Sequence, residues 1–274
     1  MKFYVLTENR ARKRGFLAEH GLSVFIEYKG MNILFDTGQT SVYLHNAKML
    51  GIDLEKSDCI VLSHGHYDHC GGLEFFPKAQ KLPKIYIKEE AFEEKFALNS
   101  DKKSYREIGI PWKREDFCES ICFSKQKTQI ANGVYLCSEI PYTVEFEKPS
   151  GGLFVKKGGE LLPDEMPDEQ MLVFETEKGL VIFLGCSHPG IVNCLSCALE
   201  LFPGEKIHTL FAGMHLDGVS GGRLEKTIDF FKKCGIEQII PVHCTGVEQA
   251  CEIKRAFREK CSLMGAGDFF EIGV

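Results

Sequence analysis

The sequence predicts a layered α/β sandwich, a fold in which β-sheets pack against α-helices. Strand-like apolar segments alternate with helical segments along the chain, and such alternation is typical of α/β proteins. The alternation occurs in two successive halves, each with its own strands and helices. The chain has 274 residues, of which 44% are hydrophobic. That length is sufficient for one large domain or two small ones with a buried core.

The first half begins with three strands. Its predicted elements are, in chain order, the strands KFYVLTE, LSVFIEY and MNILFD, the helix TSVYLHNAKMLG, the buried strand CIVLS, the strand KIYIK and the helix EEAFEEKFAL. A turn at Lys29 and Gly30 joins the second and third strands. The first helix is predicted to be capped by Thr40 or Ser41 and to end at Gly51.

The segment of residues 98–130 is the least regular part of the chain. It is rich in charge and carries the only tryptophan, Trp112. We expect a single domain spanning residues 1–274, in which this segment is an insertion that covers a functional site.

The second half repeats the pattern of the first. Its predicted elements are a hairpin in LVFETEKGLVIFL that turns at Lys178 and Gly179, a helix ending in NCLSCAL, the strand IHTLFAGMHL, the helix GRLEKTIDFFKKCG, the strand QIIPVHC and the helix TGVEQACEIKRAFREK. Thr245 and Glu248 have the spacing of a capping box at the start of the last helix.

Composition excludes several classes of function. The formal net charge of −6 argues against a general nucleic-acid binder. No segment approaches the roughly 18 unbroken apolar residues of a membrane helix, and the amino terminus MKFYVLTENRARKRGF lacks the apolar core of a signal peptide. We therefore expect a cytoplasmic protein that acts on a small-molecule substrate, with neither nucleic acid nor membrane as a partner.

The twelve cysteines are scattered along the chain. We expect most of them to be reduced thiols that serve as small buried apolar side chains. Cys194 and Cys197 form a CxxC pair, but a four-cysteine zinc site needs two such pairs in a suitable context. The favoured interpretation is that these two thiols lie on one face of a helix.

A dense group of metal-binding residue types follows the strand CIVLS. His64, His66, Asp68 and His69 lie within six positions of SHGHYDH, at the end of a strand where α/β proteins place their chemistry. His64 and His66, two apart in extended backbone, could hold one metal ion, and Asp68 with His69 a second one. Zinc, iron and manganese suit such ligands, and two ions can activate a water molecule. The alternative, a solvated polar turn, leaves three crowded histidines unexplained.

This motif and five other stretches resemble a known family. SHGHYDHCGGL resembles the signature of the metallo-β-lactamase fold superfamily, and NILFDTG at residues 32–38 resembles its upstream strand and loop. EHGLS, GCSHPGIVN, AGMHL and HCTG resemble the branch of the dihydropterin-ribofuranosyl-aminobenzene-phosphate synthase-like proteins. Together these stretches span nearly the whole chain. The resemblance implies a four-layer αββα sandwich with a metal centre at one edge of its two sheets.

The resemblance also implies ligands for two divalent metal ions, with zinc preferred and iron or manganese as the alternatives. The implied ligands are His64, His66 and His188 for one ion, and Asp68, His69 and His243 for the other. His188 and His243 each follow an apolar strand-like run, VIFLGCS and IIPV. This position at a strand end fits a metal ligand.

Four further residues have open roles. Cys186 stands where many members of the superfamily have a metal-bridging aspartate, so it is either a thiolate ligand or a buried inert thiol. His215 is expected in the site as a ligand, a substrate contact or a proton shuttle. Asp36 either orients a ligand imidazole or caps a turn. His20 is either a residue of the family motif or a surface histidine.

The function that the resemblance implies is a metal-dependent hydrolase, with Asp68 and His215 as its catalytic residues. It would act on a small, phosphorylated or ester-containing molecule through metal-activated water. The alternatives are a transferase of the synthase type named above, a di-iron redox protein of the same fold and a non-catalytic ligand-binding protein. The intact histidine motif argues against the last alternative. The redox proteins usually carry a flavin domain, for which we expect no room in these 274 residues.

Overall fold

The computed structural model describes residues 1–77, 82–148 and 151–273. The strands of this part are β1 (Lys2–Thr7), β2 (Ser23–Tyr28), β3 (Met31–Phe35), β4 (Cys59–Val61), β5 (Lys84–Ile87), β6 (Lys95–Leu98), β7 (Tyr105–Glu107), β8 (Ile121–Phe123), β9 (Lys127–Ala131), β10 (Val134–Cys137), β11 (Leu153–Lys157), β12 (Glu160–Pro163), β13 (Met171–Thr176), β14 (Gly179–Leu184), β15 (Ile207–Gly213), β16 (Gln238–Val242) and β17 (Phe269–Glu271). The α-helices are α1 (Val42–Leu50), α2 (Tyr67–Cys70), α3 (Ile191–Leu201), α4 (Gly221–Cys234) and α5 (Val247–Phe257). The predicted mixed α/β architecture is confirmed.

The chain divides into two compact units. The first unit consists of Met1–Ser124, Pro149–Asp168 and Gly265–Gly273, and the second of Lys125–Lys148 and Glu169–Met264. The interpretation of residues 1–274 as a single domain stays a prediction. Within the described ranges, no helix is long and apolar enough to cross a membrane.

The first unit contains a seven-stranded sheet in the order β17-β1-β2-β3-β4-β5-β8. Its first four strands pair antiparallel, whereas β3, β4, β5 and β8 pair parallel. The apolar side chains of Tyr43 and Ala47 in α1 pack into one core with Leu34 and Ile60 of the sheet. Because β3 and β4 are parallel neighbours, the residues that follow their carboxyl ends meet at one edge of the sheet.

Two local predictions in this unit are confirmed. Lys29 and Gly30 join β2 to β3, with φ angles of 48° and 82° that suit the two-residue turn of a hairpin. Helix α1 ends at Gly51, whose left-handed backbone (φ 72°) lets its N–H bond back to the helix, as glycine readily does. Ser41 is the N-cap residue of α1, although its side chain makes no capping hydrogen bond.

The predicted helix EEAFEEKFAL is wrong. Glu89–Phe92 form a single 3₁₀ turn, and the chain then continues as strand β6. β6 lies in a second sheet of this unit, in the order β12-β11-β6-β7. β7 is the next strand along the chain, whereas β11 comes from a distant part of the sequence. The hydrogen bonds to both strands outweigh the local helical propensity of the glutamates and alanines.

A buried ion triad holds this second sheet. The Nζ of Lys95 lies 2.7 Å from a carboxylate oxygen of Asp164 and 3.0 Å from one of Asp168. All three side chains are buried. No pattern in the sequence predicts these pairs, because lysine and aspartate are usually exposed.

The second unit is built on a six-stranded sheet in the order β16-β15-β14-β13-β10-β9. The predicted hairpin between β13 and β14 is confirmed, and β14, β15 and β16 pair parallel. Apolar side chains of α3, α4 and α5, including Leu195, Phe231 and Ile253, pack with those of the sheet in one core. The carboxyl ends of β14, β15 and β16 therefore share one edge of this sheet.

The interpretation of the CxxC pair is confirmed, because Cys194 and Cys197 are buried free thiols of α3. Burial raises the pKa of Cys197 to about 11 and that of Cys194 well above its ordinary value. Both thiols therefore stay protonated at neutral pH.

The predicted capping box at the start of α5 is wrong. The N-cap residue is Gly246, and no side chain caps this helix end. The Oγ1 of Thr245 instead donates to the carbonyl of Val242 at 2.8 Å and accepts from the N–H of Met214 at 3.2 Å. These bonds tie the end of β16 to the end of β15.

Candidate metal centre

The histidine motif occupies the turn between β4 and α2. His64 and His66 follow β4, and Asp68 and His69 lie in α2. All four side chains are buried. The Nε2 of His64 lies 3.0 Å from the Nδ1 of His66. Two nitrogens that bind one metal ion at tetrahedral angles are roughly 3.3 Å apart, so this pair is close to the geometry that one ion requires.

Gly65, between the two histidines, fixes this turn. Its N–H donates to the Oδ2 of Asp168 at 2.8 Å, and a Cβ at this position would overlap the backbone carbonyl of Ala91. A larger residue would push the turn away from its neighbours. The sequence offered no sign of the Asp168 contact, since this residue lies 103 positions further along the chain.

Asp36 anchors the motif from the end of β3. Its Oδ2 lies 2.7 Å from the Nδ1 of His69 and accepts from the Oγ of Ser63 at 2.8 Å, while its Oδ1 accepts from the Ser63 N–H at 2.7 Å. The prediction that Asp36 bonds to an imidazole of the motif is confirmed. Such an outer carboxylate fixes the orientation of a ligand ring and raises its basicity.

The same hydrogen bonds select the tautomers of two rings. Ser63 gives its hydroxyl hydrogen to Asp36, so its Oγ accepts from the Nδ1 of His64, 2.9 Å away. The Nδ1 of His69 donates to the carboxylate of Asp36. The proton of each of these two rings therefore resides on Nδ1. The Nε2 of both rings then carries the lone pair that a metal ion needs.

Asp68 lies beside the Nε2 of His69. Its Oδ2 is 3.8 Å from that nitrogen and 3.2 Å from the Nε2 of His20. The side chain of His20 is 58% exposed, so it is a surface histidine that nevertheless contacts the motif. A carboxylate and an imidazole nitrogen at this separation suit a second divalent ion.

The segment of residues 98–130 contacts the motif at two points. The Nε1 of Trp112 donates to the carbonyl of Cys70 at 2.7 Å, and the N–H of Tyr67 donates to the carbonyl of Ile108 at 3.0 Å. Trp112 itself is buried. Both ends of α2 are therefore held by this segment, whose role in covering a site stays a prediction.

A second cluster of potential ligands lies in the second unit. The ligand atoms of Cys186, His188 and His215 lie within 4.8 Å of one another, and so do those of Cys186, His243 and Cys244. Cys186 belongs to both groups. The rings of His188 and His215 have their centroids 4.6 Å apart. The structure thus brings together the four predicted residues of this unit and adds Cys244.

Parallel strands position this second cluster. Cys186 and His188 follow β14, His215 follows β15, and His243 and Cys244 follow β16. A buried carboxylate, that of Glu169, accepts from the N–H groups of Ser187 at 3.0 Å and His188 at 3.3 Å. These bonds hold the loop after β14 in one conformation.

Four residues in or beside the two clusters have left-handed backbone. Asp36, Ser187, His215 and His243 have φ angles of 55°, 54°, 46° and 50°. Left-handed backbone at a residue other than glycine costs on the order of 1–3 kcal/mol and is common at functional sites. The rest of the fold therefore stabilises this placement of side chains against their local preference.

Cys244 is a further site residue, which was not predicted from the sequence. Its Sγ accepts the backbone N–H of His215 at 3.3 Å. Burial acts to raise the pKa of this thiol, but the hydrogen bonds with Cys186 and His215 and the charge of His243 outweigh it, so the pKa lies well below its ordinary value. The available sign in the sequence was its position next to His243 in HCTG.

Replacing Asp36 with asparagine is expected to weaken metal binding 10- to 100-fold. Asparagine keeps the shape of the side chain and tolerates the left-handed backbone, but its amide cannot accept all three hydrogen bonds that Asp36 receives. Competition between the protein and a zinc chelator measures the change. Asp53→Asn, at a half-exposed aspartate of the same unit, is the matched control. Equal zinc affinity of the Asp36 variant and the wild type would contradict this role.

Comparison with known proteins matches the chain to one family. A sequence profile of the metallo-beta-lactamase superfamily matches residues 18–193. A protein of Methanocaldococcus jannaschii, named 7,8-dihydropterin-6-methyl-4-(beta-D-ribofuranosyl)-aminobenzene-5'-phosphate synthase, is 31% identical, and the match covers 97% of this chain and 95% of that protein.

Solved structures give the same result. The crystal structure of Tm1679, a metal-dependent hydrolase of the beta-lactamase superfamily, is similar with a TM-score of 0.86 and 33% identity over 99% of both chains. An isothiocyanate hydrolase from Delia radicum gut bacteria has a TM-score of 0.54 at 14% identity, over 99% of both chains. At that identity the second similarity concerns the fold alone.

Proposed function

Because the chain belongs to the metallo-β-lactamase superfamily, we propose that it is a metal-dependent hydrolase of a small, phosphorylated or ester-containing molecule. The observation that carries this proposal is the buried motif of His64, His66, Asp68 and His69. The hydrogen bonds of Asp36 and Ser63 hold two of its rings, those of His64 and His69, by their Nδ1 atoms.

The proposed ligand sets are those implied by the resemblance. His64, His66 and His188 would hold one ion, and the second would be held by Asp68, His69 and His243. When bound, two divalent ions would lower the pKa of a water molecule and stabilise the negative charge that develops in the transition state. Imidazole, carboxylate and thiol groups together favour zinc, with iron and manganese as the alternatives.

Two side chains have proposed roles in proton transfer. Asp68 would accept a proton from the attacking water, since the exposed ring of His20 lies 3.2 Å from its Oδ2 and can pass that proton to solvent. His215 would protonate the leaving group. Its Nδ1 is buried and receives no hydrogen bond from any side chain in the described ranges, while the ring as a whole is partly exposed.

The test is metal-dependent turnover of generic substrates. Protein stripped of metal and reloaded anaerobically with Zn²⁺, Fe²⁺ or Mn²⁺ is assayed with bis(p-nitrophenyl) phosphate and p-nitrophenyl acetate. We expect hydrolysis that a chelator abolishes, and a decrease of about 10²- to 10⁴-fold in kcat for Asp68→Asn. His45→Ala, at an exposed histidine of α1, should behave as the wild type. If protein with two bound ions per chain hydrolyses neither probe, the hydrolase proposal loses its support.

The second candidate is a transferase of the synthase type. It rests on the 31% identity to the M. jannaschii protein over 97% of this chain. The assay supplies a dihydropterin and a ribofuranosyl-aminobenzene phosphate to the metal-loaded protein and follows the joined product by mass spectrometry. Formation of that product without probe hydrolysis would favour the transferase. The cytoplasmic location and the lack of nucleic-acid partners stay predictions.

A further inference from the structure

We propose that Cys186 and Cys244 bind one metal ion as a pair of thiolates, with His243 as a third ligand. In this assignment His243 binds the second ion together with the two thiolates, in place of the set of Asp68, His69 and His243, and all three ligands belong to the second unit. The inference rests on the proposed metal centre but is independent of the reaction that the centre performs. It adds Cys244 to the ligands and fixes the role of Cys186, which the sequence left open.

The three donor atoms have the spacing that a metal ion requires. The Sγ of Cys186, a ring nitrogen of His243 and the Sγ of Cys244 all lie within 4.8 Å of one another. Two thiolates bound to one zinc ion at tetrahedral angles are roughly 3.8 Å apart. Small rotations of side chains are therefore sufficient to bring the three atoms around one ion.

The parallel sheet brings the two sulfurs together. Cys186 lies just beyond β14 and Cys244 just beyond β16, on either side of β15. The Sγ of Cys244 lies 3.6 Å from the carbonyl oxygen of Cys186. These positions are 58 residues apart in the sequence, which is why no CxxC spacing marks them.

The backbone around Cys244 is shaped for its sulfur. The N–H of His215 donates to the Sγ at 3.3 Å, as it would to a thiolate. Gly213, the last residue of β15, lies close to the Sγ of Cys244. A Cβ there would overlap the carbonyl of Gly185 and lie 2.9 Å from the Sγ. Only glycine at this position leaves room for the sulfur.

Two thiolates would determine which metal binds. Thiolate ligands prefer zinc and ferrous iron, whereas manganese and magnesium prefer oxygen ligands. The fourth ligand would be His215, a ring nitrogen of which also lies within 4.8 Å of the Cys186 Sγ. His188 then stays with the other ion, and His215 would bind metal and not act as the proton donor. A site of two cysteines and two histidines is a common tetrahedral zinc site.

Cobalt(II) tests this inference without any assay of activity. A thiolate bound to Co²⁺ produces a sulfur-to-metal charge-transfer band in the near ultraviolet, which imidazole and carboxylate ligands do not produce. The full chain is stripped of metal and titrated anaerobically with Co²⁺. We expect the band in the wild type, about half of it in Cys186→Ser and in Cys244→Ser, and its complete loss in the double variant. Cys251→Ser, at an exposed thiol of α5, is the control and should keep the full band.

A second measurement avoids variants that fail to fold. In the wild type, zinc should protect two thiols from 5,5'-dithiobis(2-nitrobenzoic acid), and mass spectrometry of the trapped protein should identify them as Cys186 and Cys244. Cobalt bound without the band, or zinc that protects neither cysteine, would overturn the inference.

The two proposals can fail separately. A thiolate band in a protein that turns over no substrate supports the cysteine site and contradicts the hydrolase. Full turnover and two metal ions per chain in the double cysteine variant would support the hydrolase and contradict the cysteine site.

Discussion

Replacing His64 and His66 together by alanine is expected to lower turnover roughly a thousandfold. The two nitrogens, 3.0 Å apart, are proposed to hold one of the two ions. Removing that ion forfeits a stabilisation of several kcal/mol, and about 4 kcal/mol corresponds to this factor. The rate of probe hydrolysis under saturating substrate measures the effect, and metal analysis of the same sample should show one ion fewer per chain.

The control for this double variant is His45→Ala, which removes an exposed imidazole from the same unit. Its rate and metal content should equal those of the wild type. Far-ultraviolet circular dichroism confirms that each variant is folded. A folded double variant that retains wild-type turnover would show that the motif does not carry the reaction.

Replacing Lys95 with methionine is expected to lower the free energy of unfolding by about 3–5 kcal/mol. The change leaves the carboxylates of Asp164 and Asp168 buried without their cation. Burial acts to lower the pKa of Lys95, but the charges of Asp168 and Asp164 outweigh it and raise the pKa above its ordinary 10.5. The stabilisation is therefore complete below pH 10.5 and is lost only as the pH rises through the higher folded-state value.

Urea denaturation measures this loss, and Lys156→Met provides a matched control. Lys156 pairs with Glu94 at 2.9 Å, but its side chain is 40% exposed and that of Glu94 58%. Exposed pairs contribute about 0–1 kcal/mol, so the control should unfold almost as the wild type does. Equal midpoints for the Lys95 and Lys156 variants would contradict the account of the buried triad.

Local patterns in the sequence were sufficient for much of the fold. The turns at Lys29 and Lys178 and the end of α1 at Gly51 depend on residues close to one another, and all three predictions are confirmed. The helix predicted over EEAFEEKFAL failed because β6 lies between β7 and β11 in its sheet, and β11 comes from a distant part of the sequence. Likewise, Thr245 bonds to the ends of β15 and β16 in preference to the helix that follows it.

In the candidate site, too, some residues could be predicted from local sequence patterns and others could not. The histidine motif could be predicted from its dense spacing after an upstream strand. For Asp36, contact with a ligand imidazole was one of two predicted roles, and the structure shows it with His69. Asp168 and Glu169 could not be predicted, because each acts through a contact that only the folded chain creates. Cys244 was marked only by its position next to His243. Polar residues that support a site through hydrogen bonds to its backbone do not form a motif with a characteristic spacing, so the sequence does not reveal them.

Elemental analysis of anaerobically purified protein tests the central claim most directly. Inductively coupled plasma mass spectrometry is used to count transition-metal ions per chain, in the wild type and in His64→Ala/His66→Ala. We predict two ions per chain, mainly zinc, in the wild type and one in the double variant. A wild-type protein that holds no metal, even after reconstitution with Zn²⁺, Fe²⁺ or Mn²⁺, would contradict it.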